Sequence, residues 1–463
     1  MNPADPPAAP AGIAAAHATQ TGDVAVETPD VSARRAPLIL FGAFDRHNLG
    51  DLLLGRVAAE LTARVLPGRE GRFAGLATRD LRADGGAHVQ ALSEVAAEWN
   101  PAHREGAPAW APASLPALLQ VGGEILGCSA WEAAVMVLDP ADAARAIALH
   151  DRDPAARETW ARQTLESTRR LPYLAAHAAN AANAALPHGT RIVHTGIGGV
   201  GFAALPAMLR AEALAELRAA ACVQVRDRRT REALAAAGID AALVPDPAVL
   251  VERLLGAEVA RHAAMGEPAL LRARFAHGYV AVQLAAELGD DATLAMLADD
   301  LAAISRDHGL GVMLFCAGRA PWHDDPAVLQ RLRRHLPDPQ SAVVAESRHL
   351  LDLCALIANA ALCCASSLHA RIVADAFARP AISLVGGAQQ AAKLHAWLDT
   401  WFPPQRHHLA APGNLRALAH SVMNEAPAAR KAQAAHLADL AEAAARTAFA
   451  QLFDPIDPED NSP

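Results

Sequence analysis

A serine pair followed closely by a histidine is the strongest candidate for chemistry in this sequence. In ALCCASSLHARIVADAFARPAISL (361–384), an apolar run ends at Ser366 and Ser367, and His369 and Arg371 come next. Serine is a good helix cap, and the unpaired N–H groups of a first helical turn attract anions. The segment therefore predicts an anion site in which His369 acts as a donor or as a base. A capping role alone, with His369 as a structural contact, is the alternative.

A local group of arginines forms a second candidate anion site. In VQVRDRRTREALAAAGIDAALVPDPAVL (223–250), an apolar run delivers Arg226 and Asp227 to a sheet edge, and Arg228 and Arg229 follow. Guanidinium groups bind phosphate and carboxylate through paired hydrogen bonds. In a chain with a formal charge of −9, this basic spot suits an anionic ligand. Alternatively, the arginines begin a solvated helix and pair with nearby acids.

Two further loops combine glycine with polar side chains. In QVGGEIL, Gly122 and Gly123 allow backbone amides to approach a substrate closely. Glu124 beside them could be a base, a hydroxyl-orienting group or an arginine partner. In FGAFDRHNLGDLLL, a polar cluster ends at Asn48, and the next helix is expected from about Asp51, so that either residue can cap it. We expect both loops to bind substrate; a plain turn and plain helix capping are the alternatives.

One glycine pattern is compatible with a dinucleotide. In TGIGGVGF (195–202), Gly196, Gly198 and Gly201 form GxGxxG directly after an apolar run, and the next run ends in an arginine that suits an NADP phosphate. Pro206 interrupts the helix that such a site needs. The sequence therefore favours a glycine-rich turn.

The remaining histidines and cysteines predict no metal. AGRAPWHDD (317–325) places His323 after an apolar run, where it faces the ligand or lies in a surface loop. The sequence contains no HExxH motif, no GxSxG elbow and no Walker A loop, and its six cysteines lack a CxxC pair. We expect reduced core thiols and neither a metal nor a cofactor.

The candidate loops follow apolar runs of strand length that alternate with helical stretches such as 157–185 and 206–220. These runs are 36–44, 117–123, 190–196, 221–227, 241–246, 278–284, 309–318, 341–347, 360–366 and 380–387. Strands separated by helices predict mostly parallel sheets, which bind ligands at the carboxyl ends of their strands. We expect an α/β fold of two domains with a ligand cleft between them.

The expected boundaries divide the chain into six segments. They are a disordered leader at 1–35, an N-terminal Rossmann-like domain at 36–250, a helical connector at 251–276, a C-terminal Rossmann-like domain at 277–405, a helical segment at 406–452 and a disordered tail at 453–463.

Composition limits the class of protein. The 463 residues carry a net charge of −9, which argues against a broad basic surface for nucleic acid. Neither a signal peptide pattern nor an apolar stretch near the ~20 residues of a membrane helix is present. We expect a cytoplasmic protein without a nucleic-acid partner or an integral membrane segment, and homo-oligomerisation stays open.

The ordered segments GAFDRHNLGD, VGGEIL, VRDRRTREALAAAGI, VPDP and SSLHARIVADAFARPAIS resemble the polysaccharide pyruvyl transferase family over residues 38–385. The resemblance implies a glycosyltransferase-B-like fold of two Rossmann-like domains. It also implies transfer of an enolpyruvyl unit from phosphoenolpyruvate to a hydroxyl of a polysaccharide or glycan precursor, as in exopolysaccharide biosynthesis.

The resemblance also implies roles for individual residues. Arg226 matches the arginine after the family's VRD-type strand, and His369 matches the catalytic histidine of its Arg-Leu-His motif, a general acid. Ser367 and Leu368 occupy the other two positions of that motif. Ser367 thus removes a positive charge where the anionic donor should bind, and Arg371, one helical turn on, is the candidate replacement.

The implied scheme assigns the remaining tasks. Arg226 and the helix start at 366–369 neutralise phosphoenolpyruvate, and His369 protonates its methylene carbon or assists phosphate departure. Glu124 or Asp51 orients the sugar hydroxyl. Three other functions stay open: a nucleotide-sugar glycosyltransferase of the same fold, an NADP oxidoreductase and a non-catalytic glycan-binding protein.

Overall fold

The structure is a computed structural model that describes residues 37–98, 115–174, 186–187, 189–386 and 388–453. The expected leader at 1–35 and the expected tail at 453–463, apart from Phe453, lie outside these residues.

Strands and helices alternate along the described chain. The strands are β1 (Leu38–Phe41), β2 (Gly71–Gly75), β3 (Arg79–Asp80), β4 (His88–Ala91), β5 (Ala117–Val121), β6 (Arg191–Ile197), β7 (Cys222–Val225), β8 (Ala242–Leu243), β9 (Tyr279–Gln283), β10 (Gly311–Leu314), β11 (Ala342–Val344), β12 (Leu362–Ala365), β13 (Ala381–Leu384) and β14 (Leu409–Ala410). The helices are α1 (Leu49–Val65), α2 (Leu92–Ala97), α3 (Ala130–Met136), α4 (Pro140–His150), α5 (Pro154–Thr164), α6 (Ala207–Ala219), α7 (Arg228–Ala236), α8 (Val251–Ala263), α9 (Gly266–Arg274), α10 (Asp291–His308), α11 (Pro326–His335), α12 (Leu350–Ala358), α13 (Leu368–Ala376), α14 (Ala388–Trp401), α15 (Leu415–Met423) and α16 (Pro427–Leu452).

The first sheet contains eight strands in the order β3-β4-β2-β1-β5-β6-β7-β8. All of its neighbouring strands are parallel except β3 and β4, which are antiparallel. Because helices cover both faces of such a sheet, its inner strands read as continuous apolar runs, and every residue of β1 and β5 is buried.

The second sheet contains six parallel strands in the order β11-β10-β9-β12-β13-β14. In both sheets the chain adds strands to one side and then resumes on the other, which is the Rossmann arrangement. The order reverses between β1 and β5 and again between β9 and β12. Ligands of open α/β sheets bind outside the carboxyl ends of the strands at such switch points.

The largest hydrophobic cluster runs between the two sheets. It includes Leu53 and Val57 of α1, Leu255 of α8, Ile372 of α13 and Phe449 of α16, all at most 3% exposed. Each sheet has a further cluster of its own. The helices between the sheets therefore tie the switch points to one continuous core.

The expected fold class is confirmed, because the chain forms two α/β domains with mostly parallel sheets. The cleft and the domain boundaries stay predictions. One detail of the helical segment at 406–452 is wrong: β14 lies there, because Leu409 and Ala410 pair with Ser383 and Leu384. Among the described residues, no helix is both long enough and apolar enough to span a bilayer.

Candidate active site

The start of α1 joins the two halves of the molecule. Asn48 caps α1, because its Oδ1 accepts a hydrogen bond from Gly50 N at 3.0 Å. Asn48 also forms an antiparallel bridge with Gly318, which lies in the loop after β10. Next to it, Leu49 N donates to Ala317 O at 2.6 Å. The loop at the first switch point is thus hydrogen-bonded to a loop of the second sheet.

The start of α13 lies at the second switch point. Ser367 caps this helix, accepting from Ala370 N at 3.3 Å. Gln283, the last residue of β9, accepts from Ser367 N at 2.7 Å and from Ser366 Oγ at 3.2 Å. Leu368 packs into the core between the sheets. Gln283 therefore fixes the position of the helix that carries His369.

Arg226 forms a double ion pair directly after β7. Its Nη1 donates to Asp246 Oδ2 at 3.0 Å and its Nη2 donates to Glu124 Oε2 at 2.8 Å. Burial opposes the charge of this guanidinium, which is 3% exposed, but the two carboxylates raise the pKa of Arg226 above its ordinary value. Of the roles that the sequence left open for Glu124, the structure shows that of an arginine partner.

Asp246 connects this ion pair to His369. Its Oδ2 lies 3.5 Å from His369 Nε2, which is within ion-pair range when the imidazole is protonated. Burial alone would raise the pKa of the fully buried Asp246, but His369 and Arg226 lower it by more, so that the pKa falls to about 2. Asp246 is therefore ionised at neutral pH. We call Glu124, Arg226, Asp246 and His369 the ion-pair chain.

Two glycines leave the space that the ion-pair chain occupies. A Cβ at Gly50, in the first turn of α1, would collide with the imidazole of His369. A Cβ at Gly198 would collide with the carboxyl group of Glu124 and the guanidinium of Arg226. The predicted switch-point loops thus meet around the ion-pair chain.

The GxGxxG segment is a packed turn. The N–H groups of residues 198, 199 and 200 donate to Gly123 O, Thr230 Oγ1 and Glu124 Oε1 at 2.8, 3.0 and 2.7 Å. Gly122 and Gly123 have positive φ values of 53° and 80°, which favour glycine, and Gly122 N donates to Thr195 O. Because these three amides are occupied, they offer no cradle to a pyrophosphate. This supports the glycine-rich turn over the dinucleotide site.

A second set of charged side chains acts electrostatically on His323. Asp51 accepts an ion-paired hydrogen bond from Arg46 Nε at 2.7 Å. Burial lowers the pKa of His323, and the charges of Arg46, Asp51 and Lys393 act on the same imidazole. We call Arg46, Asp51, His323 and Lys393 the polar loop cluster.

Lys393 differs from the arginines of the site. The chain contains only two lysines, and this one is half-buried on α14. Within the part of the chain that the structure describes, Lys393 forms no ion pair. The same helix ends at Trp401, whose Nε1 donates to the backbone oxygen of Arg226 at 2.8 Å. α14 therefore contacts the backbone at Arg226, and the charge of its Lys393 acts on His323.

Arg371 lies apart from both groups. Its Nε donates to both carboxyl oxygens of Asp375, at 3.0 and 2.9 Å, and its Nη1 donates to Ser383 Oγ and His407 O at 3.3 Å. Two residues along a helix correspond to about 200° of rotation, so Arg371 and His369 leave α13 on different sides. The structure does not bring Arg371 to the ion-pair chain.

One group of side chains among the described residues has donor atoms close enough together to hold a metal ion, namely His262, His349 and Asp352. His262 Nδ1 is 2.6 Å from Asp352 Oδ1, and Ser347 Oγ donates to Asp352 Oδ2 at 2.6 Å. The two imidazole rings are stacked with their centroids 4.6 Å apart. Parallel rings do not direct their lone pairs at one point, so the present geometry fits an ion pair with a stacked ring better than a metal centre.

The sequence interpretation missed Asp246 and Lys393. Asp246 stands in the VPDP segment that carried part of the resemblance, and this segment was the available signal. The prolines on either side restrict the backbone, and Asp246 Oδ1 accepts from Ala248 N at 3.0 Å. Nothing local marks Lys393, because its electrostatic effect on His323 depends on how α14 packs.

Comparison with solved structures identifies the fold. A proposed UDP-N-acetylglucosamine 2-epimerase from Listeria monocytogenes superposes with a TM-score of 0.50 and 13% identity, over 93% of this chain and 98% of that chain. A second UDP-N-acetylglucosamine 2-epimerase has a TM-score of 0.49 and 11% identity, over 90% and 95% of the two chains. The first of these likenesses supports the expected glycosyltransferase-B-like fold and, at this identity, nothing further.

Comparisons of sequence complete the assignment. No curated protein matches the chain. A sequence model of polysaccharide pyruvyl transferases matches residues 179–386, the region that includes Arg226, Asp246 and His369. This match confirms the resemblance: that part of the chain carries the pattern of the polysaccharide pyruvyl transferase family, which indicates a transferase.

Proposed function

We propose that this protein transfers the enolpyruvyl unit of phosphoenolpyruvate to a glycan and closes a pyruvate ketal. The ion-pair chain is the observation that carries the proposal. It places His369, on the helix after β12 of the second sheet, next to the ionised Asp246, which follows β8 of the first sheet. In such a pair the histidine can transfer a proton, and the aspartate can stabilise the positive charge of the protonated imidazole.

The reaction balances without an oxidant. The methylene carbon of phosphoenolpyruvate gains one proton and becomes a methyl group, and two sugar hydroxyls form C–O bonds to the adjacent carbon. The C–O bond to phosphate breaks, and its electron pair leaves with the phosphate. Of the two protons that the hydroxyls lose, one balances the proton on the methyl group and the other leaves on hydrogen phosphate.

Each member of the ion-pair chain has a separate task in this proposal. His369 delivers the proton to the methylene carbon. Asp246 provides the imidazolium with a negative partner, because its pKa of about 2 keeps it ionised. Arg226 is buried between two carboxylates, and it acts as the positioning residue that holds Asp246 in place.

The polar loop cluster serves the substrates. The donor carries a phosphate and a carboxylate and needs an uncompensated cation, and Lys393 has no carboxylate partner among the described residues. His323 has a lowered pKa, so its neutral imidazole can accept a proton from the acceptor hydroxyl. Asn48 and Asp51 line the adjacent start of α1 and orient the glycan.

The test measures phosphate release from phosphoenolpyruvate with a panel of glycans. Wild-type protein should release phosphate with at least one glycan, and His369→Ala should lower the rate by about 10²–10⁴-fold, the usual contribution of a positioned acid. His395→Ala changes an exposed histidine of α14 and is the matched control. Circular dichroism and thermal unfolding establish that both variants fold.

Two outcomes contradict the proposal. One is near-normal release by a folded His369→Ala variant. The other is a wild-type protein that leaves phosphoenolpyruvate intact with every glycan but releases UDP from a UDP-sugar, which would favour a nucleotide-sugar enzyme.

A further inference from the structure

Trp322 has an unusual combination of exposure and backbone conformation. Its side chain is 50% exposed, and the other exposed large hydrophobic residues of the described chain are all aliphatic or methionine. Its φ angle is +62°, in the left-handed region that bulky residues avoid. A strained backbone costs about 1–3 kcal/mol, and such residues cluster at functional sites. The turn thus presents an indole ring at a position that glycine would occupy more easily.

The ring of Trp322 rests on a rigid aromatic base. Its centroid lies 6.3 Å from that of Trp131, which is 8% exposed and belongs to α3 in the first half of the chain. Trp131 packs edge-on against Trp160 at 5.3 Å, and the guanidinium of Arg157 lies 6.0 Å from its ring. A capping box at the start of α3 fixes that helix. The indole of Trp322 therefore lies next to a fixed aromatic group and is half exposed to solvent.

Trp322 is attached directly to the candidate active site. His323, its neighbour, belongs to the polar loop cluster. A Cβ built on Gly318 would lie 3.4 Å from His323 Cδ2 and 3.5 Å from Asn48 Cγ, so these side chains meet at the start of α1. The same helix start touches His369 through Gly50. A ligand on the indole would reach towards the residues proposed for the reaction.

We propose that Trp322 is the stacking platform for a sugar ring of the acceptor glycan. One face of a pyranose ring carries C–H groups that pack on an indole, while its hydroxyls remain free for hydrogen bonds at the edge. The surroundings fit such a ligand, because the half-exposed indole is next to His323, whose side chain lies with that of Asn48 at Gly318. This inference rests on the proposed function, since it assigns the acceptor site of the same reaction.

Three variants separate stacking from a structural role. Trp322→Ala removes the platform, Trp322→Phe retains a smaller one, and Trp322→Gly removes both the ring and the backbone strain. Met208→Ala, an exposed apolar residue on α6, is the surface control. We expect the acceptor KM to rise at least tenfold in the alanine and glycine variants and less in the phenylalanine variant, with the KM for phosphoenolpyruvate unchanged. The unfolding temperature of Trp322→Gly should lie within a few degrees of that of wild type.

Calorimetric titration with the glycan alone makes the test independent of the reaction. The probes are methyl galactoside, glucoside and mannoside and their disaccharides. Binding by wild type that is lost in Trp322→Gly supports the platform even where no phosphate is released, in which case only the proposed function fails. An unchanged acceptor KM in Trp322→Gly overturns the platform, and so does a wild-type protein that binds no probe.

Discussion

Two carboxyl groups at the junction of the sheets show how the site sets its charges. Asp246 is completely buried and has a pKa of about 2, whereas the less enclosed Asp324 has a pKa raised to about 7. Burial raises both pKa values. The difference lies in the partners, because Asp246 faces Arg226 and His369.

Among the residues that the structure describes, the hydrogen-bond partners of Asp324 are all neutral. Its Oδ2 accepts from Ala317 N at 2.6 Å and its Oδ1 accepts from Gln283 Nε2 at 2.7 Å. These hydrogen bonds lower the pKa of Asp324 but do not offset the loss of solvation. The more deeply buried carboxylate therefore has the lower pKa. A nearby opposite charge, and not solvent exposure, therefore determines which of the two carboxyl groups is ionised at neutral pH. Asp246, in the ion-pair chain, has such partners, and Asp324 does not.

The largest effect should come from neutralising Asp246. Asp246→Asn preserves the shape of the side chain but removes the negative partner of His369, so we expect phosphate release to fall by about 10²–10⁴-fold. Asp375→Asn is the matched control, because Asp375 is also largely enclosed, with 10% of its side chain exposed, and is paired with an arginine, Arg371. Breaking that pair should cost about 3 kcal/mol in the free energy of unfolding and leave the turnover of folded protein unchanged.

Steady-state kinetics and urea unfolding of both variants measure the contrast. Equal losses of turnover in folded protein would show that Asp246 has no role in the reaction that Asp375 does not share, which contradicts the prediction. A turnover defect in Asp375→Asn alone would transfer the donor site to Arg371.

An intermediate effect should appear in the pH dependence of stability. The carboxyl group of Asp324 titrates near 3.8 when unfolded and at about 7 when native, so between these values the native state retains a proton that the unfolded state has lost. Its contribution to stability therefore decreases as the pH rises towards 7. Asp246 has the opposite sign, since its contribution is complete above about 4 and is lost as the pH falls towards about 2.

Asp324→Asn tests this sign directly. An amide does not titrate, so the free energy of unfolding of the variant, relative to wild type, should increase by about 2 kcal/mol between pH 5 and pH 8. Urea unfolding at the two pH values measures the change. A difference that is independent of pH, or that shrinks towards pH 8, contradicts a raised native pKa for Asp324.

The sequence predicted the apolar strands better than the strands of mixed composition. All ten apolar runs contain a strand. Most of these strands are buried on both faces and must therefore be apolar, while the edge strands β8 and β11 are partly exposed. The first sheet's outer strands β2, β3 and β4 were missed, since they are short, partly exposed and mixed in character. The helix expected at 157–185 ends at Thr164, and Glu166 then has a φ of +46°. Pro172 stands further along, where a helix would lose a backbone donor.

The site residues that could be predicted from the sequence are those that directly follow a predicted strand. Arg226, Glu124 and His369 follow strands that apolar patterning located, and the structure joins them in one chain. Asp246 completes the chain across two sheets, and no local pattern encodes that distance. Arg371 was grouped with His369 because both lie on one short helix. Rotation along the helix separates them, and the carboxylate that pairs with Arg371 lies on the next turn.

The smallest effect should come from replacing Lys393. This substitution tests whether a lysine without an ion-pair partner among the described residues binds phosphoenolpyruvate. Lys393→Gln removes one ionic contact to phosphoenolpyruvate, so we expect its KM to rise about tenfold, equivalent to about 1.4 kcal/mol, with kcat nearly unchanged. Lys431→Gln replaces the only other lysine, which is exposed on α16, and should leave the KM at the wild-type value.

Salt dependence sharpens the same comparison. A charge contact in a partly solvated site weakens as the ionic strength rises, so the KM of wild type for phosphoenolpyruvate should increase with added salt more steeply than that of Lys393→Gln. The paired Arg226 contributes little to this slope, because its charge is already balanced by Glu124 and Asp246. If the KM for phosphoenolpyruvate depends on salt equally in the two proteins, Lys393 does not bind the donor. The arginines that are paired in this structure would then be the candidates for its ligands.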